Sequence, residues 1–166
     1  MVIELPDPDA QLAFGELIGR LLPRRLVVYL EGDLGTGKTT LVRGILRGLG
    51  HFGPVRSPTY TLIEPYELPA ARVYHLDLYR LSDPEELEYL GLRDLSAEDA
   101  LLLVEWPERG VGTLPPADLI IRIRYQTDGR HLTLDAMIPE ARTLISLIGL
   151  SQGAQVAKAQ VHKQRG

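Results

Sequence analysis

A short glycine-rich segment contains the residues of this sequence that are most clearly suited to chemistry. Residues 32–39 read GDLGTGKT, which satisfies the spacing G-x-x-x-x-G-K-[ST] in full. Glycines let consecutive backbone N–H groups surround a phosphate, because side chains would block that approach. In this motif Lys38 supplies a cation to the β- and γ-phosphates, and the Thr39 hydroxyl coordinates Mg²⁺. The segment predicts a site for a magnesium-bound nucleoside triphosphate, with ATP expected.

The residues around Lys38 and Thr39 are predicted to contact the same nucleotide. Thr40 is placed to hydrogen-bond the α-phosphate, and the N-terminus of the following helix adds a partial positive charge. A chance glycine-rich turn is the alternative, and the flanking elements argue against it. The loop completes the predicted binding set with Asp33, Leu34, Gly35, Thr36 and Gly37.

The segments on either side of the loop have the periodicity that the motif requires. Residues 26–30 (LVVYL) are typical of a short buried parallel strand. Residues 38–49 place their apolar side chains on one helical face, and residues 7–22 form another amphipathic helix. Strand, glycine-rich turn and helix therefore follow in the order of a P-loop.

Two carboxylates in apolar strands are candidates for the rest of the site. Glu105 follows the run LLLV, so it is predicted to bind Mg²⁺ directly or through water. Asp77 belongs to a strand predicted over residues 72–80, where it is a candidate to orient the attacking water or to hold a metal-bound one. The alternative for each is an exposed charge at a strand end. Asp77, Glu105 and Lys38 are the predicted catalytic residues.

Residues 55–61 lie where P-loop hydrolases often have a switch loop whose hydroxyl groups sense the γ-phosphate. A tight connection with capping hydroxyl groups is the alternative. His75 shares a strand face with Asp77, either near the site or in the core.

The pattern of elements predicts an α/β fold. Helices between short apolar strands indicate a P-loop NTPase with a mostly parallel central sheet, added antiparallel strands and helices on both faces. Residues 59–64 are predicted to pair with the strand over 72–80, and residues 119–124 and 131–136 form a predicted hairpin.

The chain is expected to form one domain with a short tail. Its 166 residues are enough for a single packed core. Residues 1–150 are the predicted domain, closed by a helix over 140–150. Residues 151–166 are predicted to be a polar, flexible C-terminal tail.

Composition excludes several classes of protein. The absence of cysteine excludes disulfides, thiolate zinc sites and cysteine nucleophiles, and the net charge of −4 argues against a broad nucleic-acid-binding face. No apolar run approaches the roughly 20 residues of a membrane span, and the N-terminus lacks the pattern of a signal peptide. A cytoplasmic protein without membrane contact is expected.

Two features that the sequence lacks argue against particular classes of P-loop protein. Guanine-specific GTPases read the base with N-K-x-D, and this sequence has no asparagine. A small-molecule kinase remains the alternative, although no arginine-rich lid is evident. Phosphoryl transfer to water under the control of a partner is favoured.

Four segments stand out together: GDLGTGKTT, RSPTYTL, HLDLYRL and VEWPER, which start at Gly32, Arg56, His75 and Val104. In this order they resemble the TsaE (YjeE) family, bacterial ATPases required for the threonylcarbamoyladenosine modification of tRNA. The resemblance implies ATP and Mg²⁺ binding, slow ATP hydrolysis, and action with TsaD and TsaB, the pair that transfers the threonylcarbamoyl group to adenosine 37. Contact with tRNA is expected to be indirect, through that complex.

The resemblance also implies roles for individual residues. Thr39 and Glu105 match the magnesium positions of the family, and Asp77 matches its switch aspartate. Trp106 matches a characteristic tryptophan, and residues 57–61 match the switch loop.

Two further positions concern the base of the nucleotide. Arg130 aligns with a basic residue near the adenine. Gln11 stands where the family commonly has threonine near the nucleotide, and its amide is a candidate for contact with the base or ribose.

Overall fold

The computed structural model describes the backbone of residues 1–164 and the side chains of residues 1–155. The strands are β1 (Val2–Leu5), β2 (Leu26–Glu31), β3 (Ile63–Glu67), β4 (Arg72–Asp77), β5 (Ala100–Glu105), β6 (Leu119–Gln126) and β7 (Gly129–Ala136). The helices are α1 (Pro8–Leu21), α2 (Lys38–Gly48), α3 (Glu85–Tyr89), α4 (Leu92–Ala97) and α5 (Pro139–Gln164), with a 3₁₀ turn at Pro107–Gly110.

The strands form one mixed sheet in the order β1-β7-β6-β2-β5-β4-β3. Its centre is parallel, with β2 pairing to both β5 and β6, and β4 pairing to β5. The outer strands β3, β7 and β1 pair antiparallel. The predicted α/β fold and the predicted hairpin are confirmed, and β1 is an additional edge strand that the sequence did not indicate.

Two hydrophobic cores lie on opposite faces of the sheet. Along β5, Leu101 and Leu103 belong to the core that α1, α2 and α5 cover, whereas Leu102 and Val104 belong to the core beneath α3 and α4. Alternating side chains of a buried strand reach both faces, which explains why this strand is apolar throughout. The parallel strands are thereby fixed with their carboxyl ends at one edge.

Helices α1 and α2 approach closely because glycines face each other across their contact. Gly15 and Gly19 lie on α1, and Gly44 and Gly48 lie on α2. A Cβ atom at any of these four positions would collide with backbone atoms of the other helix. The close approach places the start of α1 against the glycine-rich loop that precedes α2.

Two predicted strand boundaries were wrong. Residues 59–61 form a turn, and β3 begins at Ile63, because Leu62 has a left-handed backbone (φ 63°) that interrupts an extended chain. Strand β4 ends at Asp77, because the Tyr79 N–H turns back to donate to the Asp77 carboxylate at 3.0 Å.

Helix α5 continues beyond the predicted end at residue 150, as far as Gln164. Its later part has no proline and is rich in alanine, glutamine and lysine, which are good helix formers. The predicted division into a domain and a flexible tail stays a prediction. Within the described residues, no helix is both long enough and apolar enough to cross a membrane.

Candidate nucleotide-binding site

The phosphate-binding loop, residues 32–39, connects the end of β2 to the start of α2. Gly35 and Gly37 have φ angles of 79° and 96°, a left-handed conformation that residues with side chains rarely adopt. At Gly37 a Cβ atom would also lie only 2.5 Å from the Gln11 Nε2 atom. The two glycines are thus required by conformation, and a side chain at Gly37 would also displace the Gln11 amide.

A cavity of about 470 Å³ opens beside this loop. Its lining brings together residues from the loop, the ends of β4 and β5, and the segment before β3. Among the predicted site residues, those that line it are Leu34, Gly35, Gly37, Lys38, Thr39, Thr40, Asp77 and Glu105.

Glu105 faces the loop from the carboxyl end of β5. Its Oε1 atom accepts a hydrogen bond of 2.9 Å from the Thr39 hydroxyl, and the residue is 1% exposed. The Oε2 atom lies 3.4 Å from Nε2 of His75, whose ring is fully buried. Neither ring nitrogen of His75 has a hydrogen-bond partner among the described residues. Glu105 is therefore an enclosed carboxylate, and the alternative of an exposed strand-end charge is wrong.

Asp77 stands opposite Glu105 in the register of β4 and β5. It is also buried, with 5% of its surface exposed. Its Oδ2 atom accepts a hydrogen bond from the Ser57 hydroxyl, which in turn accepts one of 3.2 Å from the Thr59 hydroxyl. The predicted switch segment is thus joined to Asp77 by side-chain contacts.

The Lys38 ammonium lies between the loop and an aromatic ring. Its Nζ atom donates to the carbonyl oxygens of Gly32 at 2.6 Å and Asp33 at 3.0 Å, and lies 4.2 Å from the centre of the Trp106 ring. Burial lowers the pKa of Lys38, and the negative charge of Glu105 opposes that shift. A cation held in this way is ready to meet an anionic ligand at little cost in reorganisation.

Aromatic and basic residues at the mouth of the cavity were not predicted as site residues. Tyr79 and Arg80 line it, and Tyr79 packs against Trp106 with ring centres 5.0 Å apart. Trp106 has a left-handed backbone (φ 57°), which turns the chain sharply after Glu105. The alternation along the Asp77 strand indicated that Tyr79 shares a face with Asp77, but no spacing rule indicated Arg80.

Other predicted residues contact the loop from its far side. Gln11 is buried, and its amide nitrogen donates to the carbonyls of Thr36 at 3.2 Å and Gly37 at 2.8 Å. Nε of Arg130 donates to the same Thr36 carbonyl at 3.1 Å. The structure therefore places them against the backbone of the loop, and their contact with a base or ribose stays a prediction.

Asp33 lies at a second depression, of about 460 Å³, beside the end of β6. Its carbonyl oxygen accepts hydrogen bonds from the N–H and the hydroxyl of Thr36, so these two residues close the loop on itself.

The residues of the cavity fit a nucleotide with Mg²⁺. The hydroxyl of Thr39 and the carboxylate of Glu105 are the oxygen ligands that Mg²⁺ prefers, and phosphates and waters normally supply the remainder of its shell. The described residues contain no cluster of three or more His, Cys, Asp or Glu side chains able to hold a metal.

The fold and the loop together define a P-loop protein. A family model described as "Threonylcarbamoyl adenosine biosynthesis protein TsaE" matches residues 5–132. The chain therefore belongs to the TsaE family, as the resemblance predicted.

Individual relatives agree with this assignment. The chain is 47% identical to the tRNA threonylcarbamoyladenosine biosynthesis protein TsaE of Haemophilus influenzae, over 86% of this chain and 93% of the relative. It is 38% identical to the protein of the same name from Bacillus subtilis, over 79% and 82% of the two chains. The crystal structure of Bacillus subtilis YdiB superposes with a TM-score of 0.79 at 29% identity, covering 92% of this chain and 95% of that one.

Proposed function

We propose that this protein binds ATP with Mg²⁺ and hydrolyses it slowly as a component of the machinery that makes threonylcarbamoyladenosine at position 37 of tRNA. It acts there with TsaD and TsaB, and its contact with tRNA is indirect. The names of the family and its relatives support a role in threonylcarbamoyladenosine biosynthesis. The residues of the cavity support the binding and hydrolysis of ATP.

One observation carries the proposal. A buried carboxylate, Glu105, holds the Thr39 hydroxyl at 2.9 Å next to a phosphate-binding loop. Burying a carboxylate is costly unless it has a partner that repays the lost solvation. A bound Mg²⁺ is the partner that this position and these oxygen atoms suit.

Each residue then has a defined task in hydrolysis. The loop N–H groups and the Lys38 ammonium bind the phosphates and stabilise the charge that develops on them. Bound Mg²⁺ supplies further positive charge there. The Thr39 hydroxyl and Glu105 hold the metal, directly or through water. Asp77, with both carboxylate oxygens in hydrogen bonds, orients the attacking water.

The link between Asp77 and Ser57 provides a route to control by a partner. Ser57 is half-buried in the segment over residues 55–61, in which Tyr60 is 83% exposed. A partner that moves this segment changes the hydrogen bonds of Asp77. ATP turnover is therefore expected to depend on TsaD and TsaB.

The test is ATP turnover of the purified protein, alone and with TsaD and TsaB, for the wild type and for Glu105→Gln. We expect slow turnover alone, faster turnover with the pair, and loss of about 100-fold in the variant. Asp99→Asn removes an exposed carboxylate at the other end of β5 and serves as the matched control.

Two outcomes would contradict the proposal. If Glu105→Gln hydrolyses ATP as fast as the wild type, Glu105 does not hold the metal for hydrolysis. Consumption of ATP that rises with a small hydroxylated acceptor, but not with TsaD and TsaB, would favour a kinase instead.

A further inference from the structure

Side chains from distant parts of the chain hold the carbonyl oxygens on the outer face of the phosphate-binding loop. We use "outer face" for the carbonyls of residues 34–37, which accept these hydrogen bonds. Gln11 of α1 donates from one amide nitrogen to two successive carbonyls, those of Thr36 and Gly37. The hydroxyl of Tyr125, near the end of β6, donates to the Leu34 carbonyl at 2.6 Å.

Arg130 connects these contacts from the start of β7. Its Nε atom donates to the Thr36 carbonyl at 3.1 Å, and its guanidinium lies 4.6 Å from the centre of the Tyr125 ring. A second nitrogen of the guanidinium donates to the Gly35 carbonyl at 3.4 Å. All four carbonyls of the outer face are thus bound by a side chain from outside the loop.

Holding a carbonyl also fixes the amide that follows it. The C=O of one residue and the N–H of the next belong to one planar trans peptide and point in opposite directions. The bond to Leu34 therefore orients the N–H of Gly35, and the bonds to Thr36 orient the N–H of Gly37. The bonds to the Gly37 carbonyl orient the N–H of Lys38 in the same way.

The oriented amides are the ones that a phosphate needs. The N–H groups of Gly35 and Gly37 have no acceptor among the described residues. A glycine-rich loop without support would lose much conformational entropy on closing around a phosphate. Support of the outer face lowers that cost before the ligand arrives.

We infer that Gln11, Tyr125 and Arg130 are positioning residues that hold the phosphate-binding loop in its binding conformation. The inference rests on the proposed function, since it assumes that the loop binds a nucleoside phosphate. It gives the β6–β7 hairpin, which contains none of the loop motif, a direct effect on nucleotide affinity. It assigns Tyr125, for which no role was predicted, to the site.

The experiment uses two variants that remove a donor and preserve shape. Tyr125→Phe keeps the ring beneath Arg130, and Gln11→Met keeps the volume of a buried side chain. ADP affinity is measured by calorimetry without added metal, and hydrogen exchange of the loop peptide is measured in the protein without nucleotide. We expect ADP affinity to fall about threefold to tenfold in each variant, with faster exchange of the loop.

Tyr74→Phe is the matched control, because its hydroxyl donates to Glu98 at 2.7 Å on the other side of the sheet. We expect wild-type ADP affinity and loop exchange in this control. Tyr125 is 55% exposed, so Tyr125→Phe remains informative even if Gln11→Met does not fold.

The results separate this inference from the proposed function. Wild-type ADP affinity in Tyr125→Phe, or weaker affinity with unchanged loop exchange, would overturn the inference alone. A wild-type protein that does not bind ADP or ATP would overturn the proposed function, and the loop exchange of the variants would still test whether these residues hold the loop.

Discussion

The two faces of the phosphate-binding loop are built in different ways. The inner face meets the cavity with Lys38 and Thr39, which belong to the loop motif, and with Glu105 at the end of an adjacent strand. The outer face is held by Gln11 and Tyr125, which lie far away in sequence and belong to no motif.

The difference shows that chemistry and shape are supplied by separate parts of the chain. Groups that act on a ligand must be close together and of fixed type, so they form a recognisable pattern. Groups that hold a backbone need only reach a carbonyl, and many side chains can do so. Substitutions on the inner face should therefore alter reaction and binding strongly, whereas those behind the loop should alter affinity modestly.

The largest expected effect concerns Asp77 on the inner side. Asp77→Asn keeps the size of the side chain and removes the negative charge that we propose orients water. We expect single-turnover ATP hydrolysis to fall about 100-fold while ATP affinity changes little. Glu64→Gln, an exposed carboxylate on β3, is the control. Wild-type hydrolysis in Asp77→Asn would remove Asp77 from the mechanism.

Lys38 should affect binding more than any residue behind the loop. Lys38→Met removes the ammonium and keeps most of the apolar stem. We expect ATP affinity to fall about 30-fold, because charge-assisted hydrogen bonds to phosphate are lost. Calorimetric titration checks this. A loss no larger than that of Tyr125→Phe would contradict the contrast between the two faces.

The sequence predicted where the residues of the inner face lie, because local rules govern their positions. The motif indicated Lys38 and Thr39, and the apolar strand before Glu105 indicated where a carboxylate would emerge. The roles assigned to these residues stay predictions. The sequence did not predict the contact between Gln11 and the loop, because that contact depends on how closely α1 packs against α2.

Boundaries were predicted less well where tertiary contacts decide them. The start of β3 depends on the left-handed backbone of Leu62, and the end of β4 depends on a hydrogen bond from Tyr79 to Asp77. Strand β1 was missed because its four residues are too few for a clear periodicity. These residues form a strand because they pair antiparallel with the free edge of β7.

The close contact of α1 and α2, which places Gln11 against the loop, gives a prediction about the stability of the fold. Gly44→Ala places a methyl group against the backbone of α1, so we expect the free energy of unfolding to fall by about 2 kcal/mol. Gly153→Ala, on α5 with nothing within 4 Å, should instead raise it by about 0.5 kcal/mol. Chemical denaturation measures both. If Gly44→Ala and Gly153→Ala change the free energy of unfolding equally, the helices do not need glycine at their contact.

The smallest expected effect is a dependence of stability on pH through Lys38. Its pKa in the folded protein is lowered from 10.5, mainly by burial, so the charged form costs stability. That cost is full below the folded pKa and disappears as pH rises to the unfolded value. Between the two, the unfolding free energy of the wild type should rise relative to that of Lys38→Met. A constant difference over this range would contradict the lowered pKa.

If Glu105 and the loop together form one magnesium–nucleotide site, Glu105 must decide how ATP binding depends on Mg²⁺. Measuring that dependence tests the shared site directly. ATP affinity is titrated over a range of Mg²⁺ concentrations for the wild type and Glu105→Gln. We expect Mg²⁺ to strengthen ATP binding in the wild type. We expect Glu105→Gln to need much more Mg²⁺ for the same gain, with metal-free ATP affinity not reduced. The same Mg²⁺ dependence in both proteins would contradict the shared site.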